Sequence, residues 1–232
     1  MPRATLVLVP GLLNTGQVFA RQVEGLADIA DCVTTEPWHH DSIGAMADAA
    51  LAAAPPTFAL GGFSMGGYVA LEIFRRAPER VERLALIDTQ ATPDSPESTA
   101  RRLALLEQTN IGRFHGVHRS LLPQLVHRRH INDPAITQPM LDMALKVGAE
   151  GFVREQRAIM GRADNRPLLA RIAVPTVVIV GRQDKVTPLP RSEEIAADIA
   201  TSRLVVIEEC GHMSPLEKPA EVTAALRSWL TR

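Results

Sequence analysis

The chain has 232 residues, 46% of them hydrophobic and 22% charged, with a formal net charge of -1. That length suits one domain, or one domain with an inserted lobe, and the near-neutral charge excludes whole-molecule attraction to nucleic acid or membrane. Two cysteines, Cys32 and Cys210, exclude a disulfide framework, and no apolar run reaches the roughly 20 residues that span a bilayer, so a cytoplasmic enzyme or binding protein is expected.

The first stretch, "MPRATLVLVPGLL", reads as a buried strand over 4–9 stopped by Pro10-Gly11, not as a signal peptide. Val18, Phe19, Val23 and Leu26 follow at helical spacing. A second strand, "CVTT" (32–35), precedes an Ala-rich helix over 43–54, and a third, "TFALGG" (57–62), precedes a helix over 65–76 with a stripe of Val69, Ala70, Ile73 and Phe74. "VERLALID" (81–88) is the fourth. After an interruption, "VPTVVIVG" (174–181) leads into a helix over 189–200, and "RLVVIE" (203–208) into one over 218–230. These strands are continuously apolar, as when helices cover both faces of a sheet. The expectation is an α/β fold: a doubly wound, mainly parallel sheet of about six strands with right-handed crossovers.

Between Asp88 and Val174 the alternation stops, and helical patterns run over 98–108, 111–122, 134–148 and 149–161. The expected organisation is a core in two parts, 1–92 and 172–232, with an all-helical cap over 93–171 lying across the strand ends. No internal repeat or low-complexity tract is present.

The third strand runs into "GGFSMGG", so Gly62-Phe63-Ser64-Met65-Gly66 is G-x-S-x-G between a strand and a helix, the context of a nucleophile elbow. Gly62 and Gly66 fall where a Cβ would collide with the neighbouring strand or helix. Phosphate-binding glycine motifs fail by spacing: Phe63 and Ser64 stand where a dinucleotide loop needs glycine, and Gly67 where a P-loop needs lysine. A serine hydroxyl needs a base. "EECGHMSPLEKP" places His212 just past the last strand, and "VGRQDKVTP" places Asp184 past the penultimate one. The chain order Ser64, Asp184, His212 is that of this type of triad. Asp88, at the end of the fourth strand, is the competing acid. It ranks second because the loop of Asp184 is longer and opened by a glycine. His39 and His40 read as surface loop residues. Cys210 reads as small-residue packing.

On "VPGLLNTGQVF", "GGFSMGGYVAL", "VGRQDKVTP" and "CGHMSPLEKP" the chain resembles the α/β-hydrolase superfamily over nearly its whole length, specifically small esterases and lactonases with a helical cap, near the pimeloyl-carrier methyl esterase and 3-oxoadipate enol-lactonase groups. The resemblance implies a cofactor-free, metal-free serine hydrolase with Ser64 as nucleophile and Asp184 and His212 as partners. The oxyanion hole would come from the backbone amide of Met65 and, as the resemblance indicates, that of Leu12. Pro10-Gly11 stands where many relatives carry His-Gly, "EPWHHDS" replaces a glycine-rich turn, and the family's first two antiparallel strands are not expected.

Leu13, Trp38, Phe63, Phe152 and Met213 are the candidate substrate-binding residues, with Leu103, Leu106 and Phe114 as further cap candidates for an apolar acyl pocket. Residues 93–171 carry twelve Lys+Arg against eight Asp+Glu, and four of the seven histidines, His115, His118, His127 and His130. A metal site is set against a solvated basic face, and the face is preferred, because no carboxylate or cysteine completes a ligand set. Basic residues of the cap could steer an anionic or carrier-bound substrate, or merely solubilise it. The expected partner is a small ester or acyl compound, with no nucleic acid and no membrane. The expected reaction is ester or thioester hydrolysis through an acyl-enzyme. Lactone opening, C–C bond hydrolysis on the same triad, and a slow-turnover receptor of the same fold are the alternatives.

Overall fold

The computed structural model describes residues 3–112, 114 and 116–231. Six strands form one sheet: β1 (Ala4–Val9), β2 (Ala30–Thr34), β3 (Phe58–Phe63), β4 (Val81–Ile87), β5 (Thr176–Gly181) and β6 (Ser202–Ile207). Their spatial order is β2-β1-β3-β4-β5-β6 and every neighbouring pair is parallel. The continuous apolar runs follow from this placement. On β1, Leu6 and Leu8 face one hydrophobic cluster while Val7 and Val9 face the other, so both phases of the period-two pattern are buried.

The core helices are α1 (Ala20–Leu26), α2 (Ile43–Ala53), α3 (Met65–Arg76), and, beyond β4, α8 (Leu189–Asp198) and α10 (Pro219–Leu230). α2, α3 and α8 supply residues such as Met46, Val69 and Ile195 to one cluster, and α1 and α10 supply Leu26 and Leu226 to the other. Strand β2 begins two residues earlier than its β-branched run because Ala30 pairs with Ala4 of β1, and the pairing register rather than side-chain type sets the limit.

Between β4 and β5 the described residues form helices only: α4 (Pro96–Asn110), α5 (Leu122–Leu125), α6 (Pro134–Met160) and α7 (Arg166–Leu169). The helix expected over 111–122 is not formed. Gly112 and Gly116 adopt φ of 78° and 61°, outside the right-handed helical region, and Pro123 opens the next turn; Arg113 and His115 lie outside the described residues. The two helices expected at 134–148 and 149–161 are both formed, and α6 joins them across a kink at Gly148, whose φ of 69° and ψ of -179° are not helical. A short α9 (Ser214–Glu217) precedes α10. Among the described residues no helix is long and apolar enough to cross a membrane.

Candidate active site

Among the described residues, four that are not glycine have φ in the left-handed region: Leu13 (58°), Ser64 (53°), Asp88 (44°) and Glu209 (52°). All four stand just past the carboxyl ends of β1, β3, β4 and β6, where parallel sheets build their sites. Such backbone costs about 1–3 kcal/mol per residue and persists only where its surroundings enforce it. At Ser64 the enforcement is visible. Its amide donates to Ile87 O (2.9 Å), and its carbonyl accepts from Gly67 N (2.9 Å) and from the Thr89 hydroxyl (2.7 Å). A Cβ on Gly62 would strike the Gly66 backbone, and one on Gly66 would strike the carbonyls of Val9 and Pro10. The start of α3 therefore packs directly against the loop after β1.

The side chains of Ser64, His212 and Asp184 form one hydrogen-bonded chain. His212 Nε2 lies 2.9 Å from Ser64 Oγ, and its Nδ1 lies 2.8 Å from Asp184 Oδ2. Asp184 is almost fully buried and saturated: Oδ1 accepts from Val186 N (2.7 Å) and Thr187 N (3.0 Å), Oδ2 from Thr187 Oγ1 (2.8 Å). Burial alone would raise its pKa, but the imidazole and these donors hold it below the usual carboxylate range. Burial likewise opposes a charge on His212, while Asp184 outweighs that and lifts it above the ordinary imidazole value. An ionised carboxylate only accepts, so Nδ1 carries the proton and Nε2 is left to accept from the serine hydroxyl.

The competing acid, Asp88, points elsewhere. Its Oδ1 accepts from Gly181 N (2.9 Å) and its Oδ2 from Ser214 N (3.3 Å) and Ser214 Oγ (2.5 Å), so it joins β4 to β5 and to the start of α9. Fully buried, and beside the charge of Asp184, its carboxyl is pushed well above the usual range.

The loop after β1 lies against Ser64: a Cβ on Gly11 would sit 3.0 Å from Ser64 Cβ. Among the described residues, the amides of Leu12 and Met65 donate to no protein acceptor. A cavity of about 210 Å³ opens above Ser64 and His212. Of the expected substrate-binding residues, Leu13, Phe152 and Met213 line it. Trp38 is buried beside Leu13 and Phe152 in a small apolar cluster, and Phe63 is fully buried with its ring 5.4 Å from that of His212. Of the further cap candidates, Phe114 lies against Phe152 with the rings tilted at 43° and their centroids 5.4 Å apart, Leu106 is buried and Leu103 is 54% exposed. Asn14, Val117, Leu125, Met140, Gln156 and Val186 also line the cavity without having been expected there. No local pattern marks them, because they converge from three separate segments.

"HRRH" has a definite structural place. Glu217, with its side chain fully buried, accepts from Gly211 N (3.0 Å) and Met213 N (3.1 Å) through Oε1, and from His127 N (2.7 Å) and His130 Nδ1 (2.9 Å) through Oε2. His212 N itself donates to Leu125 O (2.9 Å). The loop carrying His212 is thus fastened to the helical segment on both sides of the imidazole. No group of three or more His, Cys, Asp or Glu able to hold a metal ion occurs among the described residues; His115 lies outside them. Cys210 is buried and its thiol pKa is pushed up by burial and by neighbouring carboxylates. His39 is exposed beside Glu36 (3.5 Å).

The sequence pattern described as alpha/beta hydrolase fold matches residues 4–219. A pimeloyl-[acyl-carrier protein] methyl ester esterase of Neisseria meningitidis serogroup C is 32% identical over 228 residues, 94% of this chain and 84% of that protein. A 3-oxoadipate enol-lactonase of Acinetobacter baylyi is 27% identical over 74% of this chain and 62% of its own length. Among solved structures, a thermophilic esterase from Thermogutta terrifontis superposes with a TM-score of 0.89 at 30% identity, covering 98% of this chain and 89% of that one.

Proposed function

The chain belongs to the alpha/beta-hydrolase family, and we propose that it is a serine hydrolase cleaving a carboxylic ester or thioester through an acyl-enzyme on Ser64, His212 and Asp184. The observation that carries the reading is the unbroken chain from Ser64 Oγ through the imidazole to Asp184, with 2.9 and 2.8 Å separations. As Ser64 Oγ attacks the carbonyl carbon, His212 Nε2 takes its proton and Asp184 stabilises the imidazolium. The free amides of Leu12 and Met65 meet the developing oxyanion, a role worth about 3–4 kcal/mol for a single donor. His212 then protonates the leaving group, and in the second half removes a proton from the water that releases the acid.

The cavity lining supports a reading of the substrate class. The described lining has no Lys, Arg, Asp or Glu and is mostly Leu, Val, Met and Phe, which suits an uncharged acyl chain. In this reading 93–171 is a cap over a core of 1–92 and 172–232. The names of the relatives place a carrier-bound methyl ester and an enol-lactone first among compounds to compare. The test is direct: Ser64→Ala lowers kcat on p-nitrophenyl esters by about 10⁴-fold or more while the protein stays folded. A fluorophosphonate labels the parent on Ser64 and leaves the variant unlabelled. An alanine variant that kept most of its turnover would end the assignment.

A further inference from the structure

We infer that Glu155, reaching down from the helical segment, is a positioning residue for the loop that presents the Leu12 amide; the inference rests on the serine-hydrolase reading and adds a residue to it. Glu155 lies in the second half of α6, is fully buried, and its Oε2 accepts from Leu13 N at 2.9 Å, across 142 positions of sequence. Its other oxygen, Oε1, has no hydrogen-bond partner among the described residues. A buried carboxyl with one oxygen unpartnered is unfavourable, and the same helix buries Phe152, Ala158 and Ile159 without one. Packing therefore gives no reason for the carboxyl, whereas the bond it makes does.

Leu13 is the left-handed residue after β1, and Leu12 precedes it. The remaining ties of this turn are internal, Asn14 N to Gly11 O (3.1 Å) and Asn14 Nδ2 to Leu12 O (2.6 Å), apart from a weak Thr15 N contact with Met143 Sδ (3.4 Å). Glu155 is thus the oxygen acceptor that fixes the turn from outside. Because Gly11 already rests against Ser64, any rotation at Leu13 swings the Leu12 amide relative to the nucleophile. Burial pushes the Glu155 carboxyl up to about 8, with the Leu13 amide and Arg154 opposing. Arg154 sits beside it on α6 with its guanidinium donating to Trp38 O (2.8 Å), and the other ionisable groups of the site are His212, Asp184 and Asp88. Near pH 7 the neutral acid accepts from Leu13 through its carbonyl oxygen. Ionisation would put a negative charge one residue from the amide that must meet an oxyanion.

The experiment compares Glu155→Ala and Glu155→Gln with the parent on p-nitrophenyl butyrate from pH 6 to 10, and measures the affinity of an alkyl boronic acid, whose serine adduct is tetrahedral. The alanine variant is expected to lose about 10–100-fold in kcat with KM changed less than about threefold, and to bind the boronic acid weaker by a matching factor. Glutamine, which keeps an acceptor for Leu13, restores kcat at pH 7 to within about fivefold, and it removes the fall in parental kcat as pH rises through about 8. Parental kcat in the alanine variant, or an alkaline limb in the glutamine variant identical to the parent's, overturns the inference. If the alanine variant does not fold, the pH comparison of parent and glutamine variant decides alone. Fluorophosphonate labelling of Ser64 in every variant separates the two readings. Labelled Ser64 with unaltered Glu155 kinetics removes this inference only, whereas an active Ser64→Ala variant removes the reading beneath it.

Discussion

Asp88 and Asp184 are both buried aspartates at the ends of neighbouring strands, and only their hydrogen-bond partners separate their roles. Asp184 touches His212 and is held ionised by it and by the Thr187 donors; Asp88 accepts from a β5 amide and from Ser214, and burial keeps its carboxyl high. The two Asp→Asn variants should therefore divide. Asp184→Asn reverses the tautomer of His212 and lowers kcat by about 10³–10⁴-fold with little loss of stability. Asp88→Asn leaves kcat within about tenfold but costs about 1–3 kcal/mol in urea unfolding, because an amide nitrogen now faces a donor. Equal kinetic losses in the two variants would show that the bond pattern does not assign the acid. The sequence ranks Asp184 first on a longer, glycine-opened loop; the decisive fact, which oxygen meets Nδ1, exists only once β4, β5 and β6 lie side by side.

At the scale of elements, the strands were readable because their burial is complete: β3 and β5 are buried at every position, which leaves no polar phase to confuse the pattern. The helical segment between β4 and β5 was less legible. Apolar residues at helical spacing over 111–122 suggested a helix, but two glycines with positive φ break the backbone there. The boundary expected between helices at 148 and 149 falls on Gly148, where the backbone of α6 is kinked. Glu217, in the short α9, was not. Its role depends on Gly211 and Met213 amides from one side and His127 and His130 from the other. Glu217→Gln replaces an acceptor by a donor facing His127 N or the Gly211 loop. It should lower stability by about 2–4 kcal/mol in urea unfolding and reduce kcat together with it, since the His212 loop loosens. Unchanged stability would mean that the cap is not fastened through this carboxylate.

For the whole molecule, charge and cavity give different advice. The helical segment carries an excess of four positive charges, yet much of it is engaged internally. Arg102 and Arg162 both bind Asp94, Arg166 binds Asp164, and Arg129 reaches Glu209. The cavity lining, in contrast, has no Lys, Arg, Asp or Glu among the described residues. A carboxylate at the far end of the acyl chain should therefore lower kcat/KM at least about tenfold relative to the neutral ester of equal length, because it would be buried without a partner. Equal or better turnover of the acidic ester would show that basic residues of the cap reach the substrate.

What the amino-acid order determined by itself is local: which runs are buried on both sides, where glycines must let backbone approach backbone, and that a serine, an aspartate and a histidine each stand just past a strand end. Those features are written in a few consecutive residues, so period and composition reveal them. The tertiary structure decided which aspartate meets the imidazole, which residues of the helical segment face the cavity, and that Glu155 and Glu217 tie that segment to the loops of Leu12 and His212. The bonds among these join groups far apart along the chain and within 2.9 Å in space, and pairing at that range is settled by how the sheet and helices pack, which no local pattern records.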